Sequence, residues 1–247
     1  MNLNYHIWKL TKWFGFQIKR YPNADVKNRM NALAFHQITH VIDVGANCGQ
    51  YASGLRELGY TGKISSFEPQ SEAFLKLQQK AAHDPNWDVY PFALGQNEEN
   101  ANIHITQNSF SSSILPMTEL HAANVHHIQT VKTESILVRK LDQVFSDLVE
   151  PSETVLLKID TQGYEKEVLL GGLNSIQQIT LLQLEMSLFQ LYSGETLFRD
   201  MLNFLHSLHF RLYALEGDNL SDKKTGQLLQ IDGIFINTQK VPEFRQG

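Results

Sequence analysis

The sequence predicts an α/β protein whose mostly parallel sheet is covered by helices on both faces. Short apolar runs alternate with amphipathic segments along most of the 247 residues, which is the pattern of repeated strand–helix units. Two strands near the C-terminus, at 210–218 and 228–237, have no helix between them. We therefore expect a doubly wound, Rossmann-like sheet of seven strands with an antiparallel C-terminal hairpin.

Hydrophobic periodicity places the elements in order. Strands are predicted at 41–44, 63–69, 87–95, 154–160 and 179–185, and helices at 50–58, 71–82, 141–148, 163–170 and 195–207. Ser71 is the candidate N-cap of the second helix. Residues 96–135 break the rhythm: they are polar, and the short strands "NIHI" and "SILV" mark their two ends. We interpret residues 96–135 as an insert on the acceptor side, that is, beside the substrate on which the protein acts.

Composition narrows the function classes. The net charge is −5 and the pI is about 6.0, so no overall basic field favours nucleic acid. The single cysteine, Cys48, excludes an internal disulfide and a Cys-rich zinc site. No apolar run reaches the roughly 20 residues that span a bilayer, and lysines interrupt the N-terminal apolar segment. We expect a cytoplasmic protein.

Residues 1–37 are predicted to form a basic, aromatic helical arm ahead of a main domain at 38–247. Residues 1–30 hold six lysines and arginines against one aspartate, with interleaved aromatics such as Trp8, Trp13 and Phe14. One interpretation is weak contact with a membrane surface, at its inner face, or with an acidic substrate. The other, which we favour, is a helix that packs its aromatics on the main domain.

The stretch "HVIDVGANCGQY" places a carboxylate and a flexible turn at the end of an apolar strand. Ligands of doubly wound sheets bind at such strand ends, and Glu68 ends the next strand, where an acid can take both ribose hydroxyls of a nucleoside. The pattern is not G-x-G-x-x-G, and Asp43 would repel the phosphates of NAD. Asp43 instead favours S-adenosylmethionine (SAM), which has no phosphate and whose cationic methionine end this carboxylate is expected to face. Alternatively, Asp43 caps its own turn and the glycines form a tight connection.

Four strings, "DVGANCGQY", "FEP", "SSSIL" and "LLKIDTQGYEKEVLLGG", resemble the FkbM-family SAM-dependent methyltransferases over roughly residues 38–190. The resemblance implies O-methylation of a hydroxyl on a sugar or a secondary metabolite. Many relatives have "KIDVEGAE", with an acid where this chain has Gln162. Other acceptors (nucleic acid or protein), or a non-catalytic nucleoside-binding scaffold, stay open as alternatives.

The strand ends and the resemblance together define the expected cofactor site. Its residues are Asp43, Gly45, Ala46, Asn47, Gly49, Gln50, Tyr51, Glu68, Pro69, Ala93, Leu94 and Asp160.

The expected catalytic groups are two acids and a histidine. Asp160 and Glu185 end apolar strands, where a carboxylate is costly unless it meets solvent, a cation or a ligand. They are candidates for a general base or, with waters, for holding Mg²⁺. His121 is a further candidate base, as are its neighbours His126 and His127. The expected acceptor residues are Ser111, Ser112, Gln162 and Tyr164. The acceptor is expected to be a small molecule or a glycan, and the oligomeric state stays open.

Overall fold

The computed structural model describes residue 11 and residues 13–15, 21–125, 128–217 and 220–244. Most of the predicted N-terminal arm, together with His126 and His127, lies outside the described residues. Among the residues that are described, no helix is long and apolar enough to cross a membrane.

Seven strands form the main sheet, as the sequence predicts. They are β1 (His40–Val44), β2 (Lys63–Phe67), β3 (Trp87–Tyr90), β7 (Val155–Ile159), β8 (Ile179–Ser187), β9 (Phe210–Glu216) and β10 (Gln230–Asn237). Their order is β3-β2-β1-β7-β8-β10-β9. The first five strands in this order are parallel, and β10 runs antiparallel to both neighbours. The strand order reverses between β1 and β7, which is where such sheets bind ligands.

The insert and its flanking residues form a second sheet, and it contains the two short strands predicted at "NIHI" and "SILV". Its strands are β4 (Ala93–Leu94), β5 (Glu99–Thr106) and β6 (Thr130–Arg139), in the order β4-β6-β5. The single strand predicted at 87–95 is therefore wrong: β3 belongs to the main sheet and β4 to the small one. Pro91 lies between them, and its missing N–H suits a strand break.

The described helices agree with their predicted positions to within a few residues, except that Glu119–Asn124 lies in the insert, where no helix is predicted. They are α1 (Ala24–Phe35), α2 (Gln50–Glu57), α3 (Ser71–Ala81), α4 (Glu119–Asn124), α5 (Leu141–Leu148), α6 (Glu165–Leu170) and α7 (Phe198–Ser207). Ser71 is not the N-cap of α3, because Gln70 holds that position. The Ser71 hydroxyl donates instead to Glu134 on β6, and so ties α3 to the small sheet.

Alternation along the central strands builds a core on each face of the main sheet. Ile42 of β1 and Leu157 of β7 face one cluster, whereas Val41 and Leu156 face the other. Helix α1 packs on the second cluster through two buried side chains, Ala32 and Leu33. The favoured interpretation, in which the arm packs its aromatics on the main domain, is wrong for Trp13 and Phe14, because both side chains are exposed.

Gly45, at the end of β1, holds the two central strands in close approach. Its φ is +75°, and a Cβ on it would lie 1.9 Å from the carbonyl oxygen of Asp160. The Asp160 N–H donates to the Val44 carbonyl nearby, at 3.0 Å. The glycine is thus required by the backbone of β7, whatever ligand lies beyond it.

We expect Gly45→Ala to lower the free energy of unfolding by at least about 3 kcal/mol, because the new methyl group meets backbone and the φ is strained. Gly54→Ala is the matched control. Gly54 lies in α2 with nothing within 4 Å of its missing Cβ, so alanine there should stabilise by about 0.5–1 kcal/mol. Urea unfolding measures both. A Gly45→Ala variant within about 1 kcal/mol of the parent would contradict this account.

Candidate functional site

Two neighbouring cavities open at the carboxyl ends of the central strands. The first, which we call the apolar cavity, is lined by residues of both sheets. Its wall includes Phe67, Glu68, Pro69, Ala93, Leu94, Ile103, Ser112, Ile114, Gln162 and Tyr164. The second, the charged cavity, has a wall that includes Arg29, Ala46, Gln50, Tyr51, Lys158, Gln183, Glu185 and Asp232. Both walls share Gly45, Asn47, Phe110 and Asp160, so the two cavities adjoin.

Asp43 forms a buried ion pair with a lysine. The parallel register of β1 and β7 puts its Cα beside that of Lys158, and Lys158 Nζ lies 3.0 Å from Asp43 Oδ1. The Asp43 side chain is fully buried and lines neither cavity. The expectation that Asp43 faces the cationic end of SAM therefore does not fit this geometry. Nor does a described N–H of its own turn donate to it, which leaves the capping alternative equally unsupported.

Lys158 links the buried Asp43 to the wall of the charged cavity. Its Nζ also lies 3.5 Å from Asp160 Oδ2 and donates to the Gly45 carbonyl at 3.3 Å. Burial lowers the pKa of Lys158, but the charges of Asp43 and Asp160 outweigh this and raise it above its usual value. Lys158 is thus a permanently charged tie between the glycine turn and Asp160.

Glu68 holds the glycine turn, residues 45–49 at the end of β1, through hydrogen bonds. The two oxygens of this carboxyl accept the N–H groups of Asn47 and Gln70, each at 2.8 Å. Asn47 adopts φ +47°, and its side chain accepts from Cys48 N–H at 2.7 Å. Gly49 caps α2 with φ +77°, and a Cβ there would meet Leu77 and Trp87. Packing and turn geometry therefore explain this glycine; Cys48 is half-buried and unpaired.

Glu68 is the buried acid of the apolar cavity. Burial raises its pKa to about 7, against the opposing effect of the two N–H donors. Each oxygen retains a second lone pair after accepting its N–H. The carboxyl can therefore also accept hydroxyl groups from a ligand, as the sequence predicts for a ribose.

Gln162 joins the two predicted catalytic acids. Its Nε2 donates to Asp160 Oδ1 at 2.9 Å and to Glu185 Oε2 at 2.7 Å. Its Oε1 accepts from the Tyr192 hydroxyl at 2.7 Å. The backbone at Gln162 has φ +56°, and this left-handed conformation is sparsely populated by residues other than glycine. The structure thus brings Asp160 and Glu185 together, with an amide between them.

Asp232 is a third acid of the charged cavity, which sequence reasoning missed. It lies directly opposite Glu185 across β10 and β8. Burial, and then the charge of Asp160, raise the pKa of Asp232 to about 7 and that of Glu185 well above its usual value. The signal was present, because "QIDGIF" also places a carboxylate inside an apolar strand.

The structure does not support the predicted Mg²⁺ site. Within the described ranges, no group of three or more His, Cys, Asp or Glu is placed to hold a metal ion. Asp160 and Glu185 instead both accept from the amide of Gln162.

The predicted base His121 and the predicted acceptor residue Ser111 line neither cavity. The His121 ring is buried edge-on against Tyr192, with centroids 4.9 Å apart, and burial lowers its pKa to about 4. Ser111 contributes only a carbonyl, which accepts from the Tyr192 hydroxyl at 3.2 Å. Both residues support Tyr192, which in turn contacts Gln162. A catalytic role for His121 does not fit this position.

Comparison of the sequence with models of protein families shows the family to which this chain belongs. The model of the methyltransferase FkbM domain matches residues 43–212, more than half of the chain. The chain belongs to this FkbM family. It is 27% identical over 146 residues to the hexuronic acid methyltransferase AglP of Haloferax volcanii, covering 58% of this chain and 54% of that protein. It is 23% identical over 191 residues to the 2-O-methyltransferase NoeI of Sinorhizobium fredii, covering 73% of this chain and 77% of that one.

Solved structures align over much of this FkbM-family chain. One is the magnesium protoporphyrin IX methyltransferase of Synechocystis, with a TM-score of 0.45 and 11% identity over 96% of this chain and 92% of that one. A similarity at this level carries no information about the substrate. Of the curated relatives, AglP is matched over only about half of its length.

Breaking the buried ion pair should be costly. We expect Asp43→Asn to lower the free energy of unfolding by about 3 kcal/mol, because it leaves the Lys158 charge without its nearest partner. The double variant Asp43→Asn/Lys158→Met should lose less, since no charge is stranded. Urea unfolding at neutral pH compares them. A double variant less stable than Asp43→Asn would contradict this assignment.

The raised pKa of Glu68 predicts a pH dependence of cofactor binding. At pH 6 the group is mainly protonated and at pH 8 mainly ionised, since its pKa is about 7. Ribose hydroxyls donate best to the ionised form. The affinity for S-adenosylhomocysteine should therefore rise by up to about tenfold from pH 6 to pH 8. Calorimetry on Glu68→Gln should show weaker binding with a flatter profile; an unchanged slope in that variant would assign the effect elsewhere.

Proposed function

We propose that this protein is a SAM-dependent O-methyltransferase that acts on a hydroxyl of a saccharide or a secondary metabolite. One observation carries the proposal: an apolar cavity with a carboxyl at the end of β2 adjoins a cavity with three acids. Glu68 belongs to the first, Glu185 and Asp232 belong to the second, and Asp160 lines both.

The two cavities fit the two ends of SAM. The apolar cavity suits an adenine against Ala93 and Leu94, with Glu68 placed for the ribose hydroxyls. The acids of the charged cavity suit an ammonium and a sulfonium, whereas they would repel the phosphates of a dinucleotide. The same negative charge disfavours a nucleic-acid backbone as the acceptor.

The relatives support an oxygen acceptor on a sugar-like molecule. AglP is named for hexuronic acid, and NoeI is named for methylation of an oxygen. The identities are low, so the family supports the reaction class more strongly than any one acceptor.

SAM supplies a methyl group that its sulfonium already activates. The protein must align the acceptor hydroxyl with that methyl group, and positioning of this kind is worth up to about 7–11 kcal/mol. The hydroxyl must also lose its proton, and Asp160 and Glu185 are the candidate acceptors of that proton. Gln162 holds one oxygen of each acid in place. Tyr192 fixes Gln162 from the far side.

Binding and turnover test the proposal. We expect S-adenosylhomocysteine at 100 times its Kd to raise the Tm by roughly 5–10 °C, equivalent to about 2.7 kcal/mol. NAD should raise it little. With SAM and a panel of neutral glycosides, the protein should release S-adenosylhomocysteine. Glu185→Gln should lower kcat by about 10²–10⁴, and should weaken cofactor binding far less, because Asp160 and Asp232 stay in the charged cavity.

The control is EDTA, which should leave turnover unchanged if an amide rather than a metal organises the acids. A Tm shift with NAD alone would overturn the cofactor class. Cofactor binding with no turnover on any glycoside would favour another acceptor or the non-catalytic scaffold.

A further inference from the structure

We infer that Arg29, on the N-terminal helix α1, binds the α-carboxylate at the methionine end of SAM. This inference rests on the proposed function. Arg29 lies on the wall of the charged cavity, together with Tyr51 and Lys158. Neither Arg29 nor its partner Glu216 falls within the matched range 43–212, so the family match does not reach this part of the wall.

The Arg29 guanidinium is fixed in place on two sides. Its Nε donates to Glu216 Oε1 at 3.0 Å, and its Cζ lies 5.2 Å from the centroid of the Tyr51 ring. Gln183 links these two supports, because it donates to Glu216 Oε2 at 2.9 Å and accepts from the Tyr51 hydroxyl at 2.7 Å. A held side chain loses little further freedom when a ligand binds.

The outer nitrogens of Arg29 are available to a ligand. Nε of the guanidinium donates to Glu216. The Tyr51 hydroxyl, whose own hydrogen goes to Gln183, is a second hydrogen-bond partner of the guanidinium. Because the group has five N–H hydrogens, three remain for a ligand. The Nη1 and Nη2 groups form the planar fork that binds a carboxylate through two parallel hydrogen bonds.

The other cation of this wall is already committed. Among the described residues that line the charged cavity, the cationic side chains are Arg29 and Lys158. Lys158 Nζ is shared between Asp43, Asp160 and the Gly45 carbonyl. A carboxylate that enters the cavity therefore meets Arg29 as its available partner, while the acids suit the ammonium beside it.

A purely structural role is the competing explanation, since the ion pair with Glu216 also fastens α1 to β9. Such a role would move stability and leave ligand discrimination unchanged. The test therefore compares two ligands that differ only in the carboxylate: S-adenosylhomocysteine and its decarboxylated analogue, which keeps the adenosine and the amine.

The experiment is titration calorimetry of both ligands against the full-length parent, Arg29→Gln, Arg29→Lys and Arg56→Gln. Arg29→Gln should bind S-adenosylhomocysteine roughly 10- to 100-fold more weakly and leave the affinity for the analogue nearly unchanged. Arg29→Lys should lose less, because it keeps the charge without the fork. Binding of the analogue also shows that each variant is folded, and Arg29→Lys serves if Arg29→Gln does not fold.

Arg56 is the matched control. Its Nε pairs with Asp84 at 2.6 Å, its Cζ lies 5.5 Å from the Tyr60 ring, and its side chain is 20% exposed against 18% for Arg29. It does not line either cavity. Arg56→Gln should therefore leave the ratio of the two affinities as in the parent.

Two results would overturn the inference: an Arg29→Gln variant that loses equal affinity for both ligands, or a parent that binds both equally well. A parent that binds neither ligand would instead overturn the proposed function.

Discussion

The site depends on one buried ion pair between the two central strands. Asp43 and Lys158 sit side by side because β1 and β7 pair in parallel register. Their contact lets Lys158 remain charged while buried, and Lys158 then holds both the Gly45 carbonyl and Asp160. Without Asp43, a lysine in this position would be driven towards its neutral form. Gly45 and Asp160, which line both cavities, are therefore held by the same ion pair.

Gln162 makes a cluster of acids geometrically possible. Resemblance to the family suggests an acid at this position, but a third carboxylate between Asp160 and Glu185 would add repulsion to two groups that already disfavour each other's charge. An amide donates to both instead. Its oxygen is held by Tyr192, and its backbone carbonyl accepts from Ser113 of the insert at 2.7 Å. The insert thus orients the acids through Gln162.

Features encoded locally could be predicted from the sequence, and those set by distant contacts could not. The strands, the glycine turn and Glu68 follow from patterns a few residues long. The partner of Asp43 lies on a strand 115 residues away, so only the sheet register reveals that its charge is neutralised. The same holds for His121, since nothing in a polar segment shows that its ring is buried against Tyr192. In the sequence, Arg29 is one of six basic residues in the first 30, and its position over Tyr51 follows only from the folded helix.

The charges around the charged cavity show how these distant contacts act on one another. Lys158 is neutralised by Asp43 and Arg29 by Glu216. Among the described residues, Asp160, Glu185 and Asp232 are therefore compensated only in part, by the shared charges of Lys158 and Arg29. Three carboxylates so close cannot all stay ionised, and the raised pKa values of Glu185 and Asp232 express this. A cationic ligand would lower those pKa values and release protons as it binds. Cofactor binding would therefore convert these acids to the ionised form that can accept a hydroxyl proton.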